Sequence, residues 1–243
     1  MKTTESHKIG LLSDLHYNGS GSARARLCKA VEALNAQAAE GLLVLGDLVD
    51  GTDAEQSMAL LNEVAELCGR FAGPVYYLHG NHDLEYLSKA EFYRALGREG
   101  AASRFIFTCA GYRFIVLDAC FSPDGQAYER GNFVWKHCFI PPEELEWLAE
   151  QLAMSALPAV LAVHQRIDGS CTHAVQNDEA VRAVISKAGN VTAVFQGHNH
   201  LSDRREIGQT TYYAVAAHVD GASPIMAELG DSVTVFGATD SRG

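Results

Sequence analysis

Five short polar clusters in the chain carry side chains able to do chemistry. They are Asp14-x-His16, Gly46-Asp47, Gly80-Asn81-His82-Asp83, His164 and Gly197-His198-x-His200. Together they offer carboxylates, imidazoles and one amide oxygen, and no thiolate. Such hard oxygen and borderline nitrogen donors suit Mn, Fe, Co or Zn and argue against copper(I) or an iron–sulfur cluster. Histidine also supplies the side chain whose free pKa lies near neutrality, as proton transfer at neutral pH requires. Alternation along an extended segment predicts that Asp14 and His16 share one side, and that His198 and His200 do too. A single such cluster reads as well as a polar turn or a helix cap. Five in the same context do not.

That context is the end of an apolar run of strand length. Residues 9–12 lead into Asp14, 41–45 into Asp47, 75–78 into Asn81, 159–163 into His164 and 191–195 into His198. In open α/β sheets ligands sit beyond the carboxyl ends of strands, so these clusters are predicted to converge on one rim. Helical patterns fill the gaps, at about 23–40, 53–71, 85–96, 142 to just before Pro158, and 177–188. The fourth starts with proline followed by acids, the usual order for a helix N-terminus. Residues 104–108 and 112–117, joined through Ala110-Gly111, read as a hairpin. Residues 209–238 alternate β runs with turns and read as antiparallel strands of a second sheet. The aromatic, glycine-rich stretch 119–141 is irregular. A loop that long is usually functional, and it reads as a wall or lid of the site, or else as a surface excursion packed on itself.

The totals bound the function classes. With 243 residues, 47% of them hydrophobic, one large core needs no covalent staples, and residues 1–243 read as a single domain. The net charge of −11 weighs against a nucleic-acid partner, whose binding rests on Lys and Arg. It permits a small anionic substrate, because bound cations would reverse the local field. The polar start, Met1–Lys8, holds no apolar signal region, and no apolar run is long enough to cross a bilayer, so no membrane partner is expected. The six cysteines (28, 68, 109, 120, 138, 171) are widely spaced, as reduced thiols of a cytoplasmic protein would be. The oligomeric state is not legible.

In order and type, the clusters from Asp14 to His200 resemble those of the calcineurin-like metallophosphoesterases. The stretch from Asn177-Asp-Glu-Ala-Val-Arg182 to Gln196-Gly197-His198 resembles the branch that includes ADP-ribose/CDP-alcohol diphosphatases, and the chain is also similar to cyclic-nucleotide and glycerophosphodiester phosphodiesterases. The resemblance implies an α/β (α+β) fold, a four-layer α/β/β/α sandwich of two mixed sheets packed face to face with helices outside. It implies two divalent metal ions (Mn, Fe, Zn or Co), one held by Asp14, His16, Asp47 and His200, the other by Asp47, Asn81, His164 and His198. A hydroxide bridging the two would attack a small soluble phosphodiester, pyrophosphate or monoester, such as a nucleotide. His82 would be the catalytic histidine and Asp50 the carboxylate that orients it. Among Arg130, Arg166, Arg204 and Arg205, Arg166 is the favoured substrate contact because it follows His164. His79, His137, His173 and His218 are candidates to line the pocket. The alternatives are a non-catalytic metal-binding interaction module of the same fold, or a nuclease, which the net charge disfavours.

Overall fold

Of the five apolar runs that precede the clusters, 9–12, 41–45 and 159–163 are buried at every position and the other two at half or more of theirs, which explains why they are continuous rather than alternating. Along β2 (Gly41–Leu45), Leu42 and Val44 pack under helices while Leu43 and Leu45 enter a second core. β6 (Ala159–Ala162) divides the same way: Leu161 faces helices, and Val160 and Ala162 face that second core. The second core lies between two sheets. A computed structural model describes residues 7–169 and 173–236 of the chain. Residues 1–6, Cys171 and the end of the tail at Ala238 lie outside the described residues.

The first sheet contains β1 (His7–Leu12), β2 and β3 (Val75–Leu78) in parallel, with β10 (Ile225–Leu229) antiparallel to β1 and β11 (Val233–Phe236) at the edge. Helices α1 (Gly21–Ala36), α2 (Ala54–Cys68) and α3 (Lys89–Ala95) cover its outer face through Leu27, Leu34, Leu61, Val64 and Phe92. The second sheet runs in the order β4 (Phe105–Cys109), β5 (Tyr112–Val116), β6, β7 (Val191–Gln196), β9 (Thr210–Ala214), β8 (Asp203–Ile207). Helices α4 (Pro142–Ala153) and α5 (Asp178–Ala188) cover it through Leu148, Leu152, Val181 and Ile185. The layers are thus α/β/β/α, as the resemblance implied.

Three expectations change. The tail does not form one antiparallel sheet: β9 joins β7 in parallel in the second sheet, while β10 and β11 complete the first. β8, of sequence Asp-Arg-Arg-Glu-Ile, carries no apolar pattern because it is a charged edge strand, half-buried to exposed along its length. The helix expected over 85–96 starts only at Lys89. Ser88 caps it in a reciprocal box with Glu91, and a separate 3₁₀ turn occupies His82–Leu84.

Candidate metal centre

The loops after β1 and β2 run side by side. Asp14 N donates to Gly46 O at 3.1 Å, His16 N to Asp47 O at 3.0 Å and Tyr17 N to Leu48 O at 2.9 Å. These bonds replace the sheet ladder just where the strands stop. The side chains converge, but not by strand alternation. Asp14, His16, Asp47, His198 and His200 have φ of 51°, 40°, 50°, 72° and 62°, all in the left-handed region. Residues with a Cβ are strained there, and such strain concentrates at functional sites. Two glycines let the backbones close in. A Cβ on Gly80 would stand 2.1 Å from Asp47 Oδ1, and one on Gly46, at φ 94°, 2.6 Å from His164 Nδ1.

Asp47 sits at the middle, 2% exposed. Its Oδ1 accepts from His82 N at 2.9 Å. Its Oδ2 lies 3.1 Å from His164 Nε2 and 4.0 Å from His16 Nε2. Asp14 Oδ1 is 3.7 Å from His200 Nε2. His198 Nδ1 is 3.3 Å from His164 Nε2, and the His16 ring stands 4.9 Å from that of His82 and 5.2 Å from that of His200. Three histidines spend Nδ1 on the protein: His16 on Asp50 Oδ1 at 2.7 Å, His164 on Leu45 O at 2.7 Å and His200 on Asp220 Oδ2 at 2.9 Å. Each leaves Nε2 for the centre, the arrangement by which outer partners fix the tautomer of a metal-ligating imidazole.

Two donor groups therefore meet, Asp14–His16–His200 and Asp47–His164–His198. The fit to cations rests on unpaired atoms. Asp14 Oδ1, His16 Nε2, Asn81 Oδ1 and His198 Nε2 are all buried with no hydrogen-bond partner. Burying polar atoms unpaired is costly, and four of them, from three loops and two sheets, match what two cations would satisfy. The protonation pattern agrees. Burial pushes the Asp14 carboxyl up, and it acts to raise Asp47 as well, yet His164 beside it holds Asp47 well below the usual carboxylate range. Burial opposes charge on His16, but the Asp50 hydrogen bond and Asp47 push it up to about 9. His164 also rises to about 9 against its burial, through Asp47. Burial, then the charge of His164, push His198 down to about 3. The two carboxylates thus favour positive charge at the centre of both donor groups.

Asp50 Oδ1 lies 2.7 Å from His16 Nδ1, and an Asp50 carboxylate oxygen also lies within 4.8 Å of a His82 ring nitrogen, so Asp50 stands between the two rings. One assigned role changes. Arg166 is 1% exposed, with Nε 3.1 Å from Asp168 and Nη2 2.7 Å from Asp203. A guanidinium held by two carboxylates under the surface ties β6 to β8 and is not offered to a substrate. Arg130 pairs with Glu91, and Arg204 with Glu206. His79 is buried between Tyr93 and Asp118, and His218 bonds Ala222 O. His137 is exposed, while His173 lies 4.7 Å from the Trp135 ring, which in turn stands 5.9 Å from His198. Sequence reasoning gave Asp83 no role of its own within its cluster and missed Asp220. Asp83, 1% exposed, accepts from Leu48 N, Val49 N and Gly80 N and so stitches the β2 and β3 loops together. Asp220, which holds His200, comes from a tail segment with no motif around it.

A family model described as Calcineurin-like phosphoesterase matches residues 7–202. A rice protein named manganese-dependent ADP-ribose/CDP-alcohol diphosphatase is 26% identical over 195 residues, 64% of this chain and 61% of that protein. An Arabidopsis thaliana protein of the same name is 35% identical over 97 residues, 38% of this chain and 31% of that one. The chain thus matches less than two thirds of the length of these curated relatives. Among solved structures, a dimetal phosphatase from Danio rerio superposes with TM-score 0.81 at 16% identity, over 96% of this chain and 99% of that one. GAP50, described as the anchor in the inner membrane complex of Plasmodium, superposes with TM-score 0.69 at 14% identity, over 95% and 83%. One neighbour is described as a phosphatase and the other as an anchor, so the shared fold alone does not decide activity. The donor set has to.

Proposed function

Because the chain belongs to the calcineurin-like phosphoesterase family, we propose that its centre binds two divalent cations, manganese first among them, and hydrolyses a small phosphoester. The observation that carries this reading is the set of four buried, unpaired donor atoms on Asp14, His16, Asn81 and His198. An interaction module has no use for them. Asp14, His16, Asp47 and His200 would hold one cation, and Asp47, Asn81, His164 and His198 the other. The names of the curated relatives support a diphosphate ester, with a nucleoside on one side, as the substrate class. The acidic chain supports a small substrate over a nucleic acid. One catalytic domain spans the chain. Among the described residues no helix is long and apolar enough to cross a membrane. Five free cysteines there support a reducing compartment, the cytoplasm.

Two such cations, when bound, polarise phosphoryl oxygens and make a water nucleophilic at neutral pH. The remaining work falls to side chains. Asp47 places both halves of the site by bonding the His82 amide with one oxygen and facing His164 and His16 with the other. His82, exposed at the rim and packed edge-on to His16, gives a ring proton to the leaving oxygen. Asp50 and Asp220 keep His16 and His200 aimed inward. The test is metal analysis combined with a panel of phosphomonoesters, cyclic nucleotides and nucleoside diphosphate esters, with and without chelator. Turnover that ignores the chelator, or no turnover of any member with manganese present, overturns the reading.

A further inference from the structure

The aromatic stretch 119–141 is not a free lid. Arg130 N bonds Leu87 O at 3.0 Å and Gly131 N bonds Leu84 O at 3.1 Å, which pins it to the loop that carries His82. Between the two lies a cavity of about 310 Å³ lined by Asn81, His82, Glu85, Gly131, Phe133 and Trp135. Its inner end is therefore shared with the centre, and its outer walls are aromatic. Phe133 is stacked 4.3 Å from the buried Tyr128, so the plane of its ring is set. Trp135 is 40% exposed.

The charge around this cavity is unusual for an enzyme of phosphate esters. No Lys or Arg lines it. Glu85 does, exposed, and its carboxylate makes no ion pair or side-chain hydrogen bond among the described residues. A second phosphate beyond Asn81 and His82 would meet the Glu85 carboxylate, an acceptor-only side chain of like charge, and be repelled. Aromatic rings beside an unneutralised carboxylate are instead the surroundings that recognise ammonium groups. The Trp135 ring already has a cation near it: Lys136 Nζ is 5.3 Å from its centroid, outside the cavity lining.

On the phosphoesterase reading above, we infer that this cavity receives the alcohol end of the substrate and that Glu85, with Phe133 and Trp135, selects alcohols bearing an ammonium group over neutral ones. Glu85 is a specificity residue here and takes no part in bond cleavage.

The test compares esters of a cationic alcohol with esters of a neutral one, using the manganese-loaded full chain. Cytidine diphosphate choline is set against cytidine diphosphate glycerol, and phosphocholine against glycerol phosphate. The native protein should prefer each choline ester by about 10-fold in kcat/KM, the size of a partly desolvated cation–π and charge contact. Glu85→Gln should raise KM for the choline esters by about 10-fold with kcat kept, as loss of uniform binding does, and shift KM for the glycerol esters less than threefold. Trp135→Leu, which keeps an apolar wall without the ring, should erode the same preference. Equal turnover of choline and glycerol esters by the native protein overturns this inference and leaves the phosphoesterase reading standing. So does a preference that survives Glu85→Gln. Turnover of none of the four, with metal shown to be bound, overturns this inference, and the wider panel above decides the phosphoesterase reading.

Discussion

Asp47 and His82 are neighbours in space with separable duties. Asp47 faces both donor groups, so Asp47→Ala should remove bound metal and turnover together. His82 reaches the centre through its ring alone, while its backbone amide bonds Asp47 whatever side chain it carries. His82→Ala should therefore keep the metal and lose about 10²-fold or more in kcat, a typical acid–base contribution. Metal content and kcat measured on the same preparations separate the two. A His82→Ala protein with full activity on both an activated aryl ester and an alkyl ester removes its assigned role. These two residues were legible because their neighbours repeat a known order. The hydrogen-bond partner of Asp50 was not, since an exposed acid three residues past Asp47 can reach either histidine, and only the fold shows that its bond goes to His16 with His82 within 4.8 Å.

Among the elements, the loops after β2 and β3 depend on close approach. Gly80→Ala would place a methyl group 2.1 Å from Asp47 Oδ1 and 2.6 Å from Asp47 N. Backbone cannot yield as a flexible side chain would, so a loss of about 1–3 kcal/mol is expected in denaturant titrations, the range for overpacking. Manganese affinity should fall with it, as calorimetry would show. On the far side of the second sheet, α4 carries Glu144, 7% exposed and 3.0 Å from Arg104. Burial, aided by Asp118, raises its carboxyl from 4.5 to about 7. An acid raised on folding binds its proton more tightly in the native state. Its contribution is thus full below the unfolded value and is lost as pH rises through about 7. The loss should reach about 2 kcal/mol between pH 4.5 and 7.5, after reducing the full conversion for partial solvent access. Glu144→Gln should flatten that part of the stability–pH curve, and an unchanged slope would assign it to another group. The strands were readable because burial on both faces leaves unbroken apolar runs. β8 was not, because an edge strand facing water has no pattern to read.

For the whole molecule, two sheets meet so that loops from both reach one rim. Asp14, Asp47 and Asn81 come from the first, His164 and His198 from the second. Cations held by both sheets should therefore stabilise the entire fold, because only the folded chain gathers the donors. At 100 times its dissociation constant, manganese should add about 2.7 kcal/mol, or about 5–10 °C in Tm for a chain of this size, and chelator should reverse it. A melting temperature indifferent to manganese would mean that the donors do not act together.

Residue types and the apolar runs before them marked the strand ends, while the order of the clusters, through the family resemblance, implied the four-layer α/β class and seven candidate ligand residues. Each of these is a local property, written in neighbouring residues. The tertiary structure alone decided which carboxylate holds which histidine, that Arg166 is locked between Asp168 and Asp203, and that β9 leaves the tail to join β7. Those outcomes depend on segments far apart in the chain coming within hydrogen-bonding distance. Short-range hydrophobic periodicity carries no record of such meetings, so they emerge only when the two sheets close on one another.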